Sequence, residues 1–318
     1  LVNVGIDVYN RTRDPYLVAR GQTLDLVYTS ADSGNPFDLF YMDVAASAPA
    51  LQETRNNSVI ESANVAAAYG DQLGILYSAD TAAANMPGAL MFQRQGAAGT
   101  ELIPASQGYH AAQIAFAGFG EGSGLRGVAA FISDIAAKPG IFAQSVGADG
   151  SASGTVTTLS TLLGGTSGVD IAKGRDGGGA LIYTEAPGGT VHQLRFREID
   201  STGKISGLIT NLTVPNQDLR DISIAPYSHG YVIAYRRLGG LVDQPASIYL
   251  LFVDAQGNTS GTRLVHGAQI TGGGLKVLVA NDGRLIVLWG DTETVMNPDT
   301  KKTEIGLRVR AARLTCSM

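Results

Sequence analysis

Short apolar runs alternate with Gly-, Asp-, Asn- and Ser-rich stretches along the whole chain, and six of the runs close on an aromatic residue: Tyr28, Tyr77, Phe131, Tyr183, Tyr235 and Trp289. These markers follow one another at 49, 54, 52, 52 and 54 residues, the spacing of a stack of supersecondary units. Before each of the four central markers lies a small-apolar segment: Asn64 to Ala67, Gln113 to Phe116, Asp170 to Ala172 and Ser223 to Ala225. After each marker lies another short run: Phe37 to Tyr41, Ala89 to Phe92, Ile141 to Ala143, Leu194 to Phe196, Tyr249 to Val253 and Gly306 to Val309. Apolar and polar residues alternate in Leu194-Arg195-Phe196-Arg197 and Leu307-Arg308-Val309-Arg310, as in a half-buried strand.

The sharpest internal match recurs in three units, with a looser Gly96-Ala97-Ala98-Gly99 in the second. Val146 to Gly154 aligns without a gap to Ile199 to Gly207 and to Val253 to Gly261, keeping Gly150, Gly203 and Gly257 in phase. Asp and Gly at these offsets are hairpin residues, Gly because it accepts positive φ and Asp because its side chain bonds the turn backbone. The pattern predicts an all-β fold, a six-bladed β-propeller with four antiparallel strands per blade, as a single domain over 1–318. The predicted blades span 14–57, 58–107, 108–161, 162–214, 215–268 and 269–316. The last runs out of sequence before its fourth strand. Val2, Val4, Ile6 and Val8 alternate with polar or small neighbours and belong to no N-terminal unit, so residues 2–8 are expected to close that blade and cover its edge.

Charge and composition narrow the partners. A formal charge of -5 gives no basic field for a phosphate backbone, so nucleic acid is not expected as a partner. No apolar run approaches the roughly 18 residues that span a bilayer, so no transmembrane segment is expected. The single Cys316 is open to an intermolecular contact but not to an internal disulfide. The chain begins Leu1-Val2-Asn3, consistent with a removed signal peptide or with an artificial start. The four His residues, His110, His192, His229 and His266, are scattered without zinc spacing, so neither a metal nor a cofactor is expected.

Candidate chemistry gathers just after the markers. Asp32, Asp80, Asp134, Glu185 and Asp291 follow five of them, and Arg236 with Arg237 takes the acid's place in the fifth unit. In a propeller these loops share one face, where the acids would ring a channel mouth and bind a cation, an amine or sugar hydroxyls; turn initiation by Asp is the alternative. His110, beside Tyr109, would face the same mouth. Gly122 to Gly127 fits a dinucleotide Gly pattern but precedes a strand, so a hairpin loop is expected there.

Three resemblances add to this reading. Ser30-Ala31-Asp32-Ser33-Gly34-Asn35-Pro36-Phe37 resembles the Asp-box of sialidase-type propellers, although the register places it between other strands than in that family. Arg13-Asp14-Pro15-Tyr16 is similar to the signature by which several propeller glycoside hydrolases place an acid at the channel mouth, which implies Asp14 as a catalytic carboxylate. Those enzymes need a second carboxyl group, and Glu185-Ala186-Pro187 departs from the pattern that would supply it. Over nearly its whole length the chain resembles the propeller repeats of secreted and surface-attached bacterial proteins, which carry one Asp-x-x-Gly hairpin per blade. That resemblance implies a location outside the cytoplasm, whether extracellular, periplasmic or on the cell surface. The expected function is a non-enzymatic binding or scaffolding module holding a protein or glycan at the loop face, with a carbohydrate hydrolase using Asp14 and a lectin as alternatives.

Overall fold

The computed structural model describes residues 13–20, 23–30, 38–44, 51–52, 59–81, 86–164, 167–189, 191–212, 218–238, 247–266, 274–280, 282–296 and 303–314. Within them, the side chains of 13–15, 20, 51–52, 59–64, 81, 291–296 and 303–309 are not described. Asp32, the Asp-box beyond Ser30, Cys316 and the expected closing strand at 2–8 all lie outside the described residues.

The fold is all-β, a six-bladed β-propeller built of six consecutive antiparallel meanders. The first sheet holds β1 (Arg13–Arg20), β2 (Thr23–Ser30), β3 (Asp38–Asp43) and β4 (Leu51–Gln52), the second β5 (Val59–Tyr69), β6 (Gln72–Thr81), β7 (Ala89–Arg94) and β8 (Thr100–Ile103). The third holds β9 (Ala111–Phe119), β10 (Arg126–Ser133), β11 (Gly140–Val146) and β12 (Ala152–Ser160), the fourth β13 (Val169–Lys173), β14 (Gly179–Glu185), β15 (Gln193–Ile199) and β16 (Thr210–Asn211). The fifth holds β17 (Asp218–Tyr227), β18 (Gly230–Leu238), β19 (Ser247–Asp254) and β20 (Thr259–His266). Among the described residues the sixth has three strands, β21 (Leu275–Val279), β22 (Leu285–Met296) and β23 (Thr303–Leu314). The Gly122–Gly124 segment is a single short turn leading into β10, as its sequence predicts.

The chain divides into two compact units, Leu1–Thr161 with Ser201–Lys204, and Leu162–Asp200 with Ile205–Met318. In the first unit, first strands neighbour each other in series, β1 against β5 and β5 against β9. Its core is aromatic: Phe92 and Phe116 both pack on Tyr69, at centroid distances of 5.1 and 5.9 Å. The buried Tyr69 hydroxyl donates to the Gly147 carbonyl at 2.5 Å, which ties β5 of the second sheet to the hairpin of the third. Burial pushes that phenol up to about 12, so it stays a donor at any ordinary pH.

In the second unit β13, β17 and β21 follow one another in the same way. The 8 %-exposed Asp170 accepts the Ile171 N–H at 3.0 Å and the Ile224 N–H at 3.1 Å, and Lys276 Nζ approaches it at 3.2 Å. One carboxylate therefore satisfies donors from all three first strands, which a buried charge requires. One repeat later, buried Ser223 accepts the Val277 N–H at 3.2 Å.

The in-phase hairpins behave as the sequence predicts. Asp149 Oδ1 accepts from Ser151 Oγ at 2.7 Å and its N–H at 3.0 Å; Asp254 Oδ1 accepts from the Asn258 and Gln256 N–H groups at 2.8 and 3.0 Å. The bonds from Ser151 and Asn258 hold both carboxyls below the usual carboxylate range. Gly150 and Gly257, at φ +87° and +84°, turn their Cα against Phe92 and Phe196 of the preceding sheet. The recurring Gly thus serves both the turn and the packing of one blade on another.

Candidate functional site

In an antiparallel meander, the loop from second to third strand and the exit from the fourth strand leave from the same end of the sheet. That loop end carries nearly all the predicted site residues. The markers do not terminate their strands, however: β6 runs on to Thr81, β14 to Glu185, β18 to Leu238 and β22 to Met296. Asp80, Glu185, Arg236 and Arg237 therefore stand on paired strand ends, opposite Ile60, Gln193, Ile248 and Ser247, and Asp291 stands within β22 opposite Arg308; none of them is in a loop. Among the described candidates after the markers, Asp134 alone follows its strand, β10. The pairing persists because a neighbouring strand supplies ladder partners past the aromatic, the first strand for Asp80 and the third for Glu185, Arg236, Arg237 and Asp291; the paired acids are consequently not turn initiators.

In the first unit the structure brings three predicted residues together. His110, in the connection entering β9, has Nδ1 2.6 Å from Asp134 Oδ1 and Nε2 3.7 Å from Asp80 Oδ2. Its N–H donates to Ser133 Oγ at 3.2 Å, and Ser78 Oγ donates to Asp80 Oδ1 at 2.7 Å. Asp134 is the outermost member, its side chain 54 % exposed against 13 % for Asp80. Next to them Lys138 Nζ lies 3.8 Å above the Tyr109 ring and donates to the Gln107 carbonyl at 2.9 Å.

The second unit repeats the station with acid and base exchanged. His192, ahead of β15, places Nδ1 2.7 Å from Oδ1 of Asp218, the first residue of β17, and Arg220 reaches the other carboxylate oxygen at 3.1 Å. Burial pushes the Asp218 carboxyl up, but the bonds from His192 and Arg220 outweigh it and leave it below the usual range. His192 is 1 % exposed, and its Nε2 has no hydrogen-bond partner. Glu185 meets Arg195 Nε at 2.6 Å, and Arg195 also donates to Gln193 Oε1 at 2.9 Å.

The fifth sheet departs from the rest. Arg236 pairs at 2.5 Å with Asp221, a residue at φ 45° inserted as a bulge between Arg220, opposite Arg236, and Ile222, opposite the marker Tyr235. Arg237 lies 5.2 Å from the centre of the Tyr249 ring, which stacks on Tyr235. A register break at the same level of β1, between Arg13 and Tyr16, contains Asp14 opposite Tyr28. Bulges of this kind re-aim side chains beside functional sites. His192, Arg195, Asp218, Arg220 and Asp221 do not stand out in the sequence; the available signal is an acid or His between the second and third strands of one unit answered by its complement at the start of the next.

Among the described residues no group of three or more His, Cys, Asp or Glu is arranged to hold a metal ion, and no helix is long and apolar enough to cross a membrane.

No protein-family model and no curated protein sequence matches the chain. Solved structures match its fold. An arginine-to-alanine mutant of AofleA from Arthrobotrys oligospora is similar over 97 % of this chain and 87 % of its own, at 9 % identity and a TM-score of 0.53. The GH93 α-L-arabinofuranosidase of Fusarium graminearum, solved with arabinobiose, is similar over 93 % and 92 %, at 11 % identity and 0.53. A protein of unknown function from Dyadobacter fermentans is similar over 83 % and 84 %, at 13 % identity and 0.52.

Proposed function

We propose that the chain is a non-enzymatic binding module of the cell exterior, a single propeller domain that holds a protein or glycan on the loop end of its blades. The observation that supports this is the state of the acids there. Asp80 and Asp134 flank His110, Glu185 meets Arg195, Asp218 meets His192 and Arg220, and Asp221 meets Arg236. Fixed donors and acceptors of this kind are preorganised to bond a polar ligand. The exterior location rests on the resemblance of the Asp-x-x-Gly hairpins.

One observation favours a second reading. Asp14 lies in the register break of β1, at the place where the fifth sheet holds Asp221, and the arabinofuranosidase that shares the fold acts on a carbohydrate. Screening one glycan panel for both binding and cleavage separates the two. Binding without turnover, weakened in Arg195→Ala or His110→Ala, supports the module; turnover lost in Asp14→Asn supports the hydrolase; silence in both assays, with a protein captured through the same residues, leaves the protein-holding form.

A further inference from the structure

We infer that the fifth sheet carries a separate small-ligand site at its other end, the end of the tight hairpins, and that its ligand is a neutral pyranose ring. A cavity of about 420 Å³ opens there, within the roughly 300–1,000 Å³ usual for small-ligand sites, lined by the ends of β17, β18, β19 and β20. Its floor is aromatic: Tyr227 and Phe252 stand 5.5 Å apart at 58°, each only partly buried and each backed by the core shared by the fifth and sixth sheets. Two partly open ring faces on a rigid backing offer an apolar surface that a sugar's axial C–H face can cover.

The rim decides the ligand's charge. His229, Asn258, Thr259 and Ser260 are exposed there and supply hydroxyl, amide and imidazole groups that both donate and accept. The carboxylate at the rim, Asp254, is already engaged by two turn N–H groups and the Asn258 side chain. Neither a basic cradle for phosphate nor a free carboxylate for a cation lines the cavity. A ring with one apolar face and an edge of hydroxyls matches both halves of it.

The floor breaks the repeat. In the hairpin alignment the position of Phe252 is Ser145 in the third sheet and Glu198 in the fourth. This site is independent of the loop end, and either can fail without the other.

The test is amide chemical-shift mapping of the full chain against methyl pyranosides of a hexose, a 6-deoxyhexose and a pentose at millimolar concentration. At least one glycoside is expected to shift the amides of 227–231 and 252–260, with its Kd raised about tenfold or more in Phe252→Leu, which keeps the apolar volume and removes the ring. Thr259→Trp, at an exposed rim position, is expected to abolish those shifts without lowering the melting temperature. Shifts confined to residues of the loop end, no shifts with any of the three glycosides, or an unchanged Kd in both variants would overturn the inference.

Discussion

Asp218 Oδ1 stands 2.7 Å from His192 Nδ1, so the residue that opens the fifth sheet is fastened to the loop of the fourth. The carboxyl is lower in the folded chain than the usual carboxylate value, which unfolded Asp approaches at about 3.9. The native state therefore binds its proton less readily than the unfolded state, and the stability this contributes is present above about pH 4 and lost as pH falls through the folded value. In His192→Ala the carboxylate loses a donor while partly buried, and a loss of about 1–3 kcal/mol at pH 7 is expected. Urea denaturation at pH 7 and pH 3 checks both points: the gap between wild type and variant should narrow in acid.

Asp170 ties the three first strands of the second unit together. Asp170→Ala takes the acceptor from the buried Ile224 N–H and removes one contact of the partly exposed Lys276, with an expected cost of about 1–3 kcal/mol. Asp170→Asn keeps an acceptor for the amide and should cost less. Equal melting temperatures for the two variants would show that the backbone bond contributes nothing.

The hairpin glycines should rank by their neighbours. A Cβ at residue 257 would lie 2.7 Å from the Phe196 ring, whereas one at 150 would lie 3.1 Å from Phe92. Both alanines also carry the strain of positive φ, so each is expected to destabilise by roughly 1–3 kcal/mol, Gly257→Ala more than Gly150→Ala. Chemical denaturation gives the order directly.

These glycines also show what is legible beforehand. Turn and core residues repeat, so the marker aromatics, the Asp-x-x-Gly hairpins and the number of blades can be read by period alone. The loop-end pairs cannot. His110 and Asp80 are thirty residues apart and His192 and Asp218 twenty-six, with acid and base exchanged between the two stations. A repeat search looks for identity at equal offsets and passes over complementarity. Asp221 is hidden for another reason: a bulge adds one residue to one strand, and nothing in the local hydrophobic alternation marks it. The strand ends are misplaced by the sequence pattern because Asp after an aromatic reads as a turn signal, whereas cross-strand pairing carries Asp80 and Glu185 onto the ladder.

Removal of residues 1–9 tests the closing strand. A lower melting temperature and a broader transition are expected from loss of a non-local edge pairing. An unchanged melt would assign those residues no part in the sixth blade.

The fifth sheet has an arginine where other units have an acid, an aspartate at positive φ in its bulge, and an aromatic floor at its opposite end. Repeated units are interchangeable to the extent that they are alike, and a chain of near-copies tolerates duplication or exchange of a blade. The fifth is the copy that has lost this freedom. A chimera in which it is replaced by the fourth would retain the hairpin packing and forfeit both specialised ends together, which makes it the unit on which the individuality of this propeller is concentrated.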